Sequence, residues 1–506
     1  MKKTEKIEKR YNRVLIVQFP SDRCIAMRPP PGIGYLTASL KKANIDYDIF
    51  DMTFPEYNSN HLKKKIKEFK PDLIGISFFT LMYKRHYEWI KELKKMNLSF
   101  DIVCGGPHIS SVKEKVLEEC QEIDYGCVNE GEETLVELCQ GKPISNIKGL
   151  IHRQHGKIVY NGDRDFIKNL NELPYPTYEK FELEKYVQKE IPLVTSRGCP
   201  FRCIFCSVRL VMGSLFRVRS PKNVVDEIEY WVKGGYRQFA IVDDNFTFIP
   251  QRVFDICDEI ERRNLGYLEF RLNNGVRADR LTKEMLIRMG DVGFRYIKIA
   301  VEGGNNKVLK SLHKDESIET IENAIKMAHE VGLEVYANWV VGAPEETWED
   351  VKDSLRLANK WPVFKSDFYN LIPTPNTELF EWVKKNNYFI VEPEVFLNDT
   401  SYYYTKPVFE TPLLSAKDRL KVDKIHKIIR KKLMRKMVER RLKSYGFLVA
   451  KIISIIVATN IFQKLFYTNR SFRRTIDSMR TVAQRREDKH RKIRIFLYDN
   501  EYQDDL

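Results

Sequence analysis

Residues 195–207 read TSRGCPFRCIFCS and hold Cys199, Cys203 and Cys206, three of the nine cysteines in the chain. Three cysteines cannot all pair with one another. The N-terminus, MKKTEKIEKRYNRVLIV, lacks the apolar run and small-residue cleavage site of an export signal, so a cytoplasmic protein with reduced thiols is expected. Structural zinc asks for four ligands, commonly as two short-spaced pairs, and no second Cys or His knuckle lies nearby in sequence. Three thiolates spaced C-x3-C-x2-C instead suit three irons of a 4Fe-4S cluster, with the fourth iron left open to a substrate or cofactor. Gly198 and Pro200 give the loop turn freedom and rigidity. Phe201, Ile204 and Phe205 are expected to shield the cluster from water. Cys24, Cys104, Cys120, Cys127, Cys139 and Cys257 are scattered and read as small buried residues.

Outward from this loop, strand-like runs alternate with helical ones: PLVTSRG, QFAIVDD, EFRLNNG, RYIKIAV, EVYANWVVG and DFYNLIP are each followed or preceded by an amphipathic stretch. About six βα units are too few for a closed eightfold barrel, so residues 187–376 are expected to form a partial (β/α)6 barrel with the cysteines at its carboxyl-terminal mouth. Residues 11–146 alternate in the same way and predict a doubly wound, Rossmann-like parallel sheet. Such a sheet binds ligands at the carboxyl ends of its strands. Those ends carry RPPPGIG (28–34), SFFT (77–80), GGPH (105–108) and NEGEET (129–134), each of which also reads as plain turn chemistry. Residues 147–186 read as a β-hairpin and a linker containing LPYP.

Residues 377–506 are expected to be mostly helical. A basic helix, AKDRLKVDKIHKIIRKKLMRKMVERRLKS, is followed by the apolar run YGFLVAKIISIIVATNIFQKLFY (445–467), which Lys451, Asn460, Gln463 and Lys464 interrupt. Charges of that kind are costly at mid-bilayer, so residues 416–470 read either as an interfacial, peripheral membrane element or as a buried helix with a solvated basic neighbour. The net charge of +15 gathers at this end. Nucleic acid is not the expected partner, because the basic run adjoins an apolar segment rather than interleaved stacking aromatics. Hydrophobic residues at 43% and charged ones at 31% fit a folded chain, and its length calls for more than one core.

TSRGCPFRCIFC resembles the radical S-adenosylmethionine (radical SAM) enzymes. The resemblance implies that the open iron binds the amino and carboxylate groups of SAM, and that electron transfer breaks a C–S bond to give a 5′-deoxyadenosyl radical. It also implies an electron donor such as a flavodoxin or ferredoxin. Further matches follow in order. IVDDNFT, with Asp243 and Asp244, resembles the position that receives the SAM amino group. AVEGGNNKVLKSLHK, with Glu302 and Gly303, resembles the segment whose glutamate contacts the ribose. VVGAPEET, with Gly342 and Pro344, resembles the segment lining the adenosine pocket, and LIPTPNTELF resembles the end of the barrel.

The first domain is similar to the cobalamin-binding domain of a branch that includes hopanoid methylases and the anaerobic magnesium-protoporphyrin ester oxidative cyclase. In that resemblance Pro31, Gly32, Gly34, Ser77, Phe78, Gly105, Gly106, His108 and Glu130 are cobalamin-binding candidates. Two departures stand out. No D-x-H-x-x-G supplies a histidine to cobalt, so cobalamin would bind base-off without a protein histidine ligand, and Asn129 stands where a glycine is expected. The resemblance implies methyl transfer to an unactivated carbon of a small, hydrophobic or lipid-like molecule. Radical oxidation, cyclisation or C–C coupling without cobalamin remains an alternative, as does a non-catalytic binding or assembly factor on the same scaffold. Methylthiolation is disfavoured because the first domain lacks an additional cysteine triad.

Overall fold

Strand β1 (Arg13–Gln18) is buried at all its inner positions, as a strand covered on both faces must be. The computed structural model describes residues 9–20, 28–96, 98–186, 188–402 and 406–459, with scattered positions from 461 to 476; Cys24 and the tail beyond 476 lie outside the described residues. β1 sits between β2 (Asp46–Asp51) and β3 (Leu73–Ser77), followed by β4 (Asp101–Gly105) and β5 (Tyr125–Cys127), all parallel. Helices α1 (Pro31–Lys42), α2 (Ser59–Phe69), α3 (Tyr83–Lys94), α4 (Pro107–Val112), α5 (Lys115–Glu119) and α6 (Glu132–Cys139) follow the strands. The order 2-1-3-4-5 puts the topological switch between β1 and β3, so the binding crevice opens beyond Gln18 and Ser77.

The hairpin of β6 (Leu150–Gln154) and β7 (Lys157–Tyr160) is not part of a separate linker. β6 pairs antiparallel with β5, Gly126 facing Ile151, and extends the sheet to seven strands. An apolar edge strand left unpaired invites association, and burying Leu150 and Ile151 here removes that edge. One apolar cluster then continues through Tyr178, Phe181 and Tyr186 of the linker into the second domain.

That domain begins with β8 (Ile191–Leu193) and a short antiparallel ribbon of β9 (Ser196–Arg197) and β10 (Arg217–Val218), which brackets the cysteine loop and α7 (Val208–Met212). β11 (Gln238–Ile241), β12 (Glu269–Leu272), β13 (Phe294–Glu302), β14 (Glu334–Val341) and β15 (Lys365–Asn370) complete a parallel arc of six strands, ordered β15-β14-β13-β12-β11-β8 and open between β15 and β8. Outside lie α8 (Pro221–Lys233), α9 (Pro250–Arg263), α10 (Lys283–Val292), α11 (Asn306–Ser311), α12 (Ile318–Glu330) and α13 (Trp348–Lys360). Side chains of Ser220, Thr282, Ser317 and Thr347 cap four of these helices, Thr347 within a capping box with Asp350.

The C-terminal region contributes α14 (Glu378–Lys385), α15 (Pro393–Phe396), α16 (Ala416–Arg441) and α17 (Phe447–Val457). α16 packs along β15 and α13 and so covers an open edge of the arc. Arg441, at its end, pairs with Glu334 at the start of β14 (2.7 Å). Arg419, at its beginning, donates to the Val341 carbonyl at the end of β14 (3.0 Å). The helix therefore runs from the mouth of the barrel to its base. No helix among the described residues is long and apolar enough to cross a membrane.

Candidate active site at the domain interface

The cysteine loop is built by backbone contacts on both flanks. Gly198 has φ +86°, and a Cβ there would stand 2.3 Å from the Leu215 carbonyl oxygen, so only glycine lets β9 turn into the loop beside this neighbour. Cys199 N–H donates to Gly213 (3.3 Å), Ile204 N–H to Leu312 (3.2 Å), and Leu379 N–H to Ile204 (2.9 Å). Burial pushes the Cys199 and Cys203 thiols up, and that of Cys206 to about 12, while Arg277 and Lys314 oppose the rise at Cys199 and Cys203. Among the described residues, no three His, Cys, Asp or Glu side chains converge on one metal ion. Three half-buried thiols on one loop, two of them beside the cations of Arg277 and Lys314, fit ligands of three irons of one cluster. Of the three expected shielding residues, Ile204 is buried, Phe201 is capped by the Arg277 guanidinium 3.7 Å from its ring centre, and Phe205 lines the interdomain cleft.

The acidic pair at the end of β11 divides in two. Asp243 is buried and accepts from Thr195 N–H and the Ser196 hydroxyl (both 2.6 Å), so it fastens the strand that leads into the loop. Asp244 accepts from Gly198 N–H (3.0 Å), and burial raises it to about 6. Glu302 ends β13 at φ +69°, a conformation uncommon outside glycine, with its carboxyl raised by burial against the pull of Lys314. Gly303 lies under Val308. Beyond the ends of β11 and β12, Asn245 Oδ1, Thr247 Oγ1 and Asn273 Nδ2 are buried without a hydrogen-bond partner. Orphaned polar atoms at a strand-end mouth fit a polar ligand such as SAM.

Gly342 (φ +106°) does not face open space: a Cβ there would stand 2.5 Å from the Arg419 guanidinium carbon. Arg419 is 1% exposed and also bonds the carbonyl of Phe409 (2.7 Å). Glu346 is fully buried, accepts from Gly342 and Ala343 N–H (2.6 and 3.1 Å), and is pushed up to about 7 by burial. Pro344 lines a surface cavity of about 420 Å³ with Ile204, Lys310 and His313. Arg419 and Glu346 were not among the residues singled out from sequence. Glu346 lies within the VVGAPEET motif, but nothing local marks Arg419.

Several of the first-domain residues that the resemblance implies for cobalamin pack against other side chains of the protein. Phe78 is buried and stacks on His86 (4.7 Å between ring centres). His108 stacks on Tyr83 (4.6 Å), takes a hydrogen bond with Tyr87 (3.1 Å), and burial lowers it to about 3, so it is neutral. Gly34 lies beneath Tyr178 of the linker, whereas Gly32, next to Pro31 at the start of α1, has open space. Ser77, Gly105 and Gly106 bring the ends of β3 and β4 together, Ser77 Oγ standing 2.7 Å from where a Gly106 Cβ would be. Glu130 accepts from Arg197 (2.7 Å), Arg217 (2.8 Å) and Ile167 N–H (2.7 Å). Glu132 holds the second nitrogen of Arg197 (2.7 Å), and Tyr35 of α1 packs on that guanidinium at 4.8 Å. NEGEET therefore clamps the residue just before Gly198 and Cys199. Asn129 adopts φ +62°, a left-handed conformation that asparagine tolerates better than most residues, which explains how it replaces glycine.

Between the strand ends of the first domain and the cysteine loop lies a cleft of about 470 Å³, lined by Phe79, Leu81, Pro107 and Ser111 on one side and Phe205, Ser207 and Ile372 on the other. Of the lining residues, Ser111 has a buried Oγ without a hydrogen-bond partner, and Phe79 is 70% exposed. An unmet hydroxyl beside an exposed aromatic fits a large amphipathic cofactor such as cobalamin.

Comparison with known proteins agrees. Residues 193–358 match the radical SAM superfamily and residues 28–139 the B12 binding domain. The chain is 28% identical to an uncharacterized methyltransferase of Pyrococcus horikoshii over 432 residues, 83% of this chain and 91% of that protein. It is 27% identical to the anaerobic magnesium-protoporphyrin IX monomethyl ester cyclase of Cereibacter sphaeroides, over 77% of this chain and 64% of that protein. Its fold is similar to that of the radical SAM methyltransferase TsrM from Kitasatospora setae, solved with cobalamin and a 4Fe-4S cluster bound (TM-score 0.64, 19% identity, 74% of this chain and 75% of that one). The chain carries a radical SAM domain preceded by a B12-binding domain, and the cofactors these imply are a 4Fe-4S cluster, SAM and cobalamin.

Proposed function

We propose that this enzyme methylates an unactivated carbon of a small hydrophobic or lipid-like substrate. When bound, the cluster and SAM supply a carbon-centred radical and cobalamin supplies a methyl group. The observation that carries the reading is the single cleft onto which both the first domain's strand ends and the cysteine loop open. Cys199, Cys203 and Cys206 would hold the cluster. Asp244 and Glu302 would receive SAM, and the orphaned Asn245 and Asn273 atoms, buried without partners, would complete its polar contacts. Leu81, Phe205, Leu371, Ile372 and Leu397 give the cleft an apolar wall that excludes water and suits a hydrophobic substrate. Reduction of the cluster calls for an external donor such as a flavodoxin or ferredoxin. A cytoplasmic enzyme resting on the inner face of a membrane fits such a substrate.

Anaerobic reconstitution with iron, sulfide, SAM, cobalamin and a lipid extract tests the proposal. S-adenosylhomocysteine and 5′-deoxyadenosine should both accumulate, and a corrin absorption band should co-purify with the protein. Similarity to the oxidative cyclase favours one second reading, radical oxidation or ring closure. In that case 5′-deoxyadenosine would form without S-adenosylhomocysteine.

A further inference from the structure

α17 is apolar apart from the exposed Lys451 and the buried Ser454, yet only its small residues are buried. Ala450 and Ser454 are buried against α16, and the Ser454 hydroxyl reaches Glu439 (2.9 Å). Its large side chains face away: Phe447 is 73% exposed, Leu448 72%, Ile452 58% and Ile456 51%. Such a patch is unusual on a soluble surface and marks a place of contact. At 11 residues the helix is about 16 Å long, roughly half of a bilayer's hydrocarbon thickness.

The helix beneath supplies the matching charge. α16 carries twelve lysines and arginines against three acidic residues. Leu420, Lys424, Ile428, Lys431 and Arg435 recur at helical spacing and are all exposed, Ile428 at 70%. Lys424, Lys431 and Arg435 form no ion pair among the described residues, whereas Lys421 and Lys427 are each paired within the helix. Aliphatic side chains interleaved with unpaired cations, beside a short helix whose large exposed side chains are apolar and whose one charge is the cation Lys451, match a surface of anionic headgroups over hydrocarbon. A second protein surface of the usual polar rim and apolar centre would leave the cations at the patch unmatched.

Resting on the reading of a membrane-proximal substrate above, we infer that α16 and α17 together form the docking surface by which this enzyme lies on an anionic lipid bilayer, with α17 parallel to the plane. The large side chains of α17 enter the acyl boundary and the α16 cations meet phosphate headgroups. Because α16 begins with Arg419 in the Gly342 loop, the helix that touches lipid also ends in the wall of the active site.

Flotation of the full-length protein with vesicles of phosphatidylcholine alone, or mixed with phosphatidylglycerol, tests this without turnover. The protein should float with the mixed vesicles and far less with the zwitterionic ones. Ile452→Asp/Ile456→Asp should weaken binding to the mixed vesicles by roughly a hundredfold. Lys424→Gln/Lys431→Gln should weaken it about tenfold and remove the preference for phosphatidylglycerol. Both pairs are exposed, so an unchanged circular dichroism spectrum and unchanged iron content after reconstitution would show that folding is intact. Equal flotation of wild type and variants would overturn the inference. So would a dimer in solution that Ile452→Asp/Ile456→Asp converts to monomer without any vesicle binding, which would assign the patch to a second copy. A protein that floats as expected but forms no methylated product would leave the surface standing and remove the proposed reaction.

Discussion

Arg197 shows how a residue beside the cysteine loop acts through a distant one. Its guanidinium is held by Glu130 and Glu132, which lie 67 and 65 residues away in sequence, and all three side chains are at most 8% exposed. Removing one member of a buried pair strands its partner, so Arg197→Met should cost about 3–5 kcal/mol in urea unfolding. Glu346 offers a second test at this scale. Its carboxyl is raised by burial from 4.5 to about 7, so the folded protein holds a proton there that the unfolded chain releases. That contribution is complete below about pH 4.5 and is lost as pH rises through 7. Glu346→Gln keeps an acceptor for Gly342 and Ala343 N–H but cannot ionise. Stability measured by denaturant between those pH values should fall less steeply in the variant, by about one proton's worth of slope.

At the scale of elements, α16 is the piece whose role sequence conceals most. Its basic character is plain, but its work on the fold is done by Arg419, which reaches a carbonyl 78 residues earlier and fills the space before Gly342. Gly342→Ala would force a strained φ and push into that guanidinium; a loss of more than about 1 kcal/mol and weaker SAM binding are expected, read by thermal unfolding and equilibrium dialysis. Truncation before Ala416 would uncover β15 and should give aggregates on size exclusion, whereas truncation before Phe447 should leave a soluble, folded enzyme. The hairpin β6–β7 shows the same limit. Its turn and alternation are readable, but pairing with β5 depends on an edge that exists only once the first sheet has formed.

For the whole molecule, the two domains behave as one machine because their contacts meet at the cysteine loop. The apolar cluster passes through the linker, and the acidic clamp of the first domain grips β9. Replacing Cys199, Cys203 and Cys206 by alanine should remove the cluster's visible absorption and all SAM cleavage together, while corrin absorption, which reports the first domain, persists. A simultaneous loss of both spectra would show that the domains fold as a single unit.

The cysteine spacing, the alternation of strands and helices, and the order of the barrel motifs were all readable from sequence, because each depends on residues a few positions apart. Cluster ligation needs three thiols on one loop, and burial periodicity needs only the local repeat. Only the tertiary structure decided what each carboxylate holds: Asp243 fastens the strand before the cysteine loop, its neighbour Asp244 holds Gly198 where that loop begins, and Glu130 grips arginines. It also decided that Phe78 and His108 pack inward and that an arginine of the last domain shapes the Gly342 loop. Ion pairs and close approaches are set by distance in space, and distance in sequence carries no record of it.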